Sequence, residues 1–156
     1  MKTTLNAIRA HQPCADGWAK LLRRLGKTKA DHEPVLIRTI LDSNGLDDAL
    51  WCLRAVTGHD REIRLYAVWC ARRVQHLMID PRSIAALDVA ERYANNLATE
   101  HDLEAAWDAA WAAARDAAGD AAGDAAWDAA WAAAGDVQEK RLREVCAEVE
   151  AAEVAR

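Results

Sequence analysis

Apolar residues recur along this chain at three- and four-residue intervals, the period of a helix buried on one side. Trp18, Leu21, Leu22 and Leu25 fall at spacings 0, 3, 4 and 7, and Gly26 follows as a stop. Asp31 lies just ahead of Pro34, and Pro is favoured in a first turn. That order predicts a short apolar helix through Val35, Leu36, Ile37, Ile40 and Leu41, closed by Ser43-Asn44-Gly45. Leu46, Ala49, Leu50, Leu53 and Val56 predict the next helix, ended by Thr57-Gly58. The longest pattern is Ile63, Tyr66, Ala67, Cys70, Val74 and Leu77, with Arg61, Arg64, Arg72 and Arg73 on the other side. It predicts an amphipathic helix with a basic solvent face. Asp80-Pro81 opens a further helix, Asp as N-cap and Pro at the first helical position. It runs through Ile84, Leu87, Ala90 and Tyr93 to Asn95-Asn96. Thr99 and Asp102 stand at the spacing of a capping pair. No segment sustains period-2 alternation. Residues 1–100 therefore read as a compact array of short helices, and the chain as all-α with no sheet.

Residues 101–156 carry a repeat. AAWDAAWAAA occupies 105–114 and returns unchanged at 125–134. Four residues turn a helix by about 400°, so Trp107 and Trp111 share a face, as do Trp127 and Trp131. Twenty residues leave a turn of roughly 200°, so one unbroken helix would point the two Trp pairs to opposite sides. Gly119-Asp120 and Gly123-Asp124 offer C-cap and N-cap chemistry for a break between them. The expected arrangement is a long Ala/Trp-rich helical hairpin with its four Trp supplying most of the packing. Gly135-Asp136 offers a further break or kink, and a final helix presents Leu142, Val145, Val149 and Ala152. The expected organisation is a helical array at 1–100 and a hairpin with C-terminal helix at 101–156, packed as one domain.

Composition sharpens this picture. Among 156 residues, 36 are Ala and seven are Trp, with no Phe, which favours helix throughout. The net charge is −5, and it is divided unevenly. Residues 1–100 hold 15 Lys/Arg against 12 Asp/Glu, whereas 101–156 hold 5 against 13. The acidic balance argues against general affinity for nucleic acid, and no run is long and apolar enough to span a membrane. The unevenness predicts either contact between the two parts or an acidic surface for a basic partner.

Candidate chemistry is sparse. Cys14, Cys52, Cys70 and Cys146 form no CxxC pair, and His11-x-x-Cys14 lacks the second half of a metal site. The chain is expected to bind no metal or cofactor, to keep its thiols reduced and to reside in the cytoplasm. His59, Asp60 and Glu62 are adjacent but read as a helix start rather than a catalytic set, so no catalytic residue is assigned. Two charged sets remain as candidate partner-binding residues. One is Asp108, Asp116, Asp120, Asp124 and Asp128, a slowly turning acidic ridge to which Asp136 adds. The other is Arg61, Arg64 and Arg72. The simpler reading of either set is capping and solvation. Trp51 and Trp69 lie beside their stripes, to fill gaps in the core or to mark a contact surface.

The run DPRSIAALDVAERYANNLATEHDLEAAWDAAW, followed by Ala/Trp tetrads, resembles the immunity proteins of bacterial toxin systems. ILDSNGLDDALWCLRAV and REIRLYAVWCARRVQHL also resemble small bacteriophage proteins. The resemblance covers roughly 35–135 and implies a non-enzymatic helical protein that neutralises another protein. A toxin would be the partner of an immunity protein. A host defence component, such as part of a CRISPR system, would be the partner of a phage protein. An assembly protein that homo-oligomerises through the hairpin is the alternative.

Overall fold

The computed structural model describes the backbone of residues 1–117 and 124–155, and the side chains of 1–113 and 134–155. The all-α expectation holds, with one small exception. Residues Lys2–Thr4 (β1) and Pro34–Leu36 (β2) form an antiparallel pair, Thr3 opposite Val35. The chain divides into two compact units, Met1–His59 with Glu139–Arg156, and Asp60–Gln138. This division cuts across the 1–100 and 101–156 boundary that composition suggests.

In the first unit, β1 leads directly into α1 (Leu5–Ala10), where the Thr4 hydroxyl accepts from Ala7 N at 3.1 Å. Helix α2 (Ala15–Leu25) ends as expected at Gly26, whose φ of +65° lets Lys27 N reach the Leu22 carbonyl at 2.9 Å. The expected helix from Pro34 is corrected. Pro34, Val35 and Leu36 are extended, and helix α3 spans Ile37–Asn44. Val35 is β-branched and buried opposite Thr3, and Pro sits acceptably at a strand's edge. Helix α4 (Leu46–Cys52) follows after one residue, and a single 3₁₀ turn at Leu53–Ala55 closes the run. The joint is Gly45 at φ +96°, ψ −178°, a conformation open to glycine almost alone.

The last piece of this core comes from α8 (Asp124–Val154). Leu142, Val145, Cys146 and Val149 are buried with Met1, Leu5, Ile8, Ile37 and Ile40. Ala152, expected on that stripe, is exposed. Ion pairs hem the helix in: Arg38 to Glu150 at 3.2 Å, Lys2 to Glu153 at 2.6 Å, and Arg143 to Asp42. Part of the charge contact between front and back of the sequence is therefore made inside this unit. Of the break or kink expected at Gly135, the break does not occur: α8 continues through it, because glycine inside a helix costs only about 1 kcal/mol and three alanines precede it.

The second unit contains α5 (Asp60–Arg73), α6 (Pro81–Ala94) and α7 (Glu100–Ala117), with α6 packed on both others. Two caps stand as the sequence predicts. Asp80 Oδ1 accepts from Arg82 N with Pro81 at the first helical position, and Thr99 and Asp102 cap each other reciprocally. The α5 stripe is corrected. The helix ends at Arg73; Val74, which caps a 3₁₀ turn at Gln75–Leu77, and Leu77 within that turn are 42% and 67% exposed. Tyr66 and Val68 are its buried residues, and Ala67 is exposed. The expected break at 119–124 falls largely on 118–123, outside the described residues.

Candidate protein-binding surface

Helix α7 turns its alanines inward. Leu103, Ala106, Ala110 and Ala113 lie at spacings 0, 3, 7 and 10, and deepen from half-buried to 2% exposed at Ala113. Helix α6, packed against α7, carries Ala86 and Ala90, half-buried, and Ala94, buried, at four-residue spacing on one face. Small side chains on both helices let their backbones approach closely. Trp is thereby excluded from the seam. Trp107 is 63% exposed and Trp111 54%, which corrects the expectation that these rings carry the hairpin's packing. They do share a face, as the four-residue spacing requires. Their centroids are 6.3 Å apart at an interplanar angle of 62°, an edge-to-face pair.

Beside Trp107 opens a cleft of about 420 Å³ lined by Arg64, Leu103, Glu104, Trp107 and Asp108. Two residues from the separate charged sets thus meet here: Asp108 of the acidic ridge and Arg64 of the basic face. Arg64 also lies 4.8 Å over the Tyr93 ring, which fixes its guanidinium against α6. The other arginines serve inside the unit. Arg72 bridges to Asp88 at 2.7 Å and Glu91 at 2.8 Å. Arg61 donates to Asn95 Oδ1 at 2.8 Å. Arg73 lies 5.8 Å from the Trp69 centroid. The side chains of Asp116, Asp124 and Asp128, and all of Asp120, lie outside the described residues, as do the side chains of Trp127 and Trp131. Glu104 is a site residue that spacing alone did not single out, and Trp107, which spacing did single out, was expected in the packing rather than at a surface. The signal that could have found them is the matching alanine content of α6, which reserves the inner face of α7 for small residues.

The surroundings are acidic. The second unit carries seven Arg against fourteen Asp and Glu, a balance of −7, while the first stands at +2. Further exposed apolar side chains in this unit are Ile79 at 98% and Leu97 at 67%. Among the described residues no His, Cys, Asp and Glu group is arranged to hold a metal ion. No described helix is long and apolar enough to cross a membrane. No family model matches the chain, and no curated protein or solved structure matches it.

Proposed function

We propose that this chain is a non-enzymatic protein-binding inhibitor, of the immunity or phage anti-defence type, that occludes a basic surface on a cytoplasmic partner. The exposed Trp107–Trp111 pair beside Arg64, Glu104 and Asp108 carries the reading. Trp and Arg are the side chains most enriched at binding hot spots. Two indole rings more than half in water lose apolar hydration when a partner covers them, worth roughly 2 kcal/mol or more each at ~25 cal/mol per Å². The negative field of the unit selects a cationic partner and speeds its encounter. The partner would be a toxin or a component of host defence.

Homo-oligomerisation is the second reading, and one observation favours it. The sequence that builds the Trp107 face is duplicated without change at 125–134, so one chain offers the same side chains twice.

The test is to purify the tagged wild type and the Trp107→Ala/Trp111→Ala variant from the native cytoplasm. A stoichiometric foreign protein held by the wild type and lost by the variant supports the inhibitor. Sedimentation of the wild type as a self-associated species that the variant dissociates supports the second reading. A monomeric wild type with no retained protein rejects both.

A further inference from the structure

The first unit contains a pocket that the α7 surface does not use. Its volume is about 90 Å³, and its walls are Ile8, Pro13, Leu21 and Ile40 with two indoles, Trp18 from α2 and Trp51 from α4. One ionised group reaches it, Asp48. Glycine makes that approach possible. A β-carbon at Gly17 would stand 2.7 Å from Asp48 Oδ2 and 3.2 Å from its Cγ, so the carboxylate occupies the room a side chain would need. Asn44 ties the group down, donating through Nδ2 to Asp48 Oδ2 at 2.7 Å and to the Gly17 carbonyl at 2.9 Å. Among the described residues, Asp48 has no ion-pair partner. Two cations contact residues of the pocket's walls without pairing to Asp48: Lys20 donates to the Asn44 carbonyl at 3.3 Å, and Arg54 lies 4.5 Å over the Trp51 ring while donating to that residue's carbonyl.

We propose that this pocket binds an alkylated ammonium group. The chemistry follows from the walls. Indole faces attract a cation through their quadrupole, most strongly for a cation that carries little water, and a fixed carboxylate adds direct charge attraction. Methylation suits the group to a lining that is apolar apart from Asn44, Asp48 and the thiols of Cys14 and Cys52, too few partners to replace an ammonium's full hydration shell. Size decides the rest. An apolar cavity of about 150 Å³ takes a benzene ring, so one of about 90 Å³ takes roughly four heavy atoms. That fits a trimethylammonium head and excludes a nucleotide or a sugar. The head can belong to a free small molecule or to a methylated lysine side chain.

Choline and its uncharged isostere 3,3-dimethyl-1-butanol separate charge from shape. Isothermal titration and the indole N–H signals of Trp18 and Trp51 should show choline binding and the alcohol failing to match it. Asp48→Asn keeps the acceptor for Asn44 and should weaken choline about tenfold or more, the loss of one charged contact. Gly17→Ala, which displaces the carboxylate, should do the same, with thermal melting confirming that both variants fold. A peptide bearing trimethyllysine that binds tighter than choline assigns the head to a protein side chain; choline binding tighter assigns it to a free amine. Equal binding of choline and the alcohol, no shift of the two indoles, or full choline affinity in Asp48→Asn overturns the proposal.

Discussion

Lys2 Nζ and Glu153 Oε2 stand 2.6 Å apart although 151 positions separate them in sequence. Together with Arg38–Glu150, the pair fastens β1 and α3 to the end of α8. The Lys2 ammonium holds the Glu153 carboxyl below its ordinary range. Asp31, beside Lys27, Asp80, beside Arg82, and Asp102, bonded to the backbone N–H and hydroxyl of Thr99, are lowered likewise. A carboxyl lowered by folding contributes stability above its unfolded value, near 4, and loses it as pH falls through the folded value. Melting temperature should therefore fall between about pH 5 and pH 2. Glu153→Gln and Asp102→Asn should each flatten that fall and cost more at pH 7 than at pH 2. A slope unchanged in both variants would show that these contacts are absent in solution.

Trp107→Ala and Trp111→Ala should barely move the melting temperature. Rings more than half exposed contribute below about 1 kcal/mol, against roughly 3–5 kcal/mol for a core Trp. A large loss in chemical denaturation would place the indoles in a buried seam.

Two glycines should respond with opposite sign. Gly135 lies inside α8 with nothing within 4 Å of an added β-carbon, so Gly135→Ala should stabilise by about 0.5–1 kcal/mol. Gly45 has equal room but φ +96°, so Gly45→Ala should destabilise by about 1–3 kcal/mol. Urea titration of both variants measures the contrast.

Thiol reactivity should rank the cysteines by burial. Cys14 is exposed, and Cys70 is half-buried. Burial pushes the Cys52 thiol up to about 12, and it raises Cys146 as well. Only the thiolate is nucleophilic, so Cys52 and Cys146 should stay silent at neutral pH until the chain unfolds. Timed labelling with a disulfide reagent should give one fast thiol, absent in Cys14→Ser, and two that appear only in denaturant.

Local chemistry was legible in the sequence wherever one or two neighbours decide it. Gly26, the Asp80-Pro81 start and the Thr99/Asp102 cap were readable because each satisfies backbone groups within its own turn. The β1–β2 pair was not, because three residues are too few to show a period of two. The sharing of a face by Trp107 and Trp111 followed from helix geometry. Which face points inward did not, because the small residues of α6 decide it from another part of the chain. The cleft joining Arg64 to Asp108 depends on the same packing. The Trp18–Trp51 pocket was hidden for a related reason: α2 and α4 meet there only because Gly17 and Gly45 leave room and turn the backbone.

The core of the first unit is assembled from two stretches of chain with residues 60–138 between them. On a ribosome, Leu5, Ile8, Ile37 and Ile40 therefore emerge long before Leu142 and Cys146, which complete their enclosure. At about 5–20 residues per second the interval from Ile40 to Leu142 is roughly 5–20 s. Throughout it, residues 1–59 carry an uncovered apolar face, while α5, α6 and α7 can already pack on one another. The nascent chain should accordingly settle its middle before its beginning, and the early segment is where a chaperone would be needed.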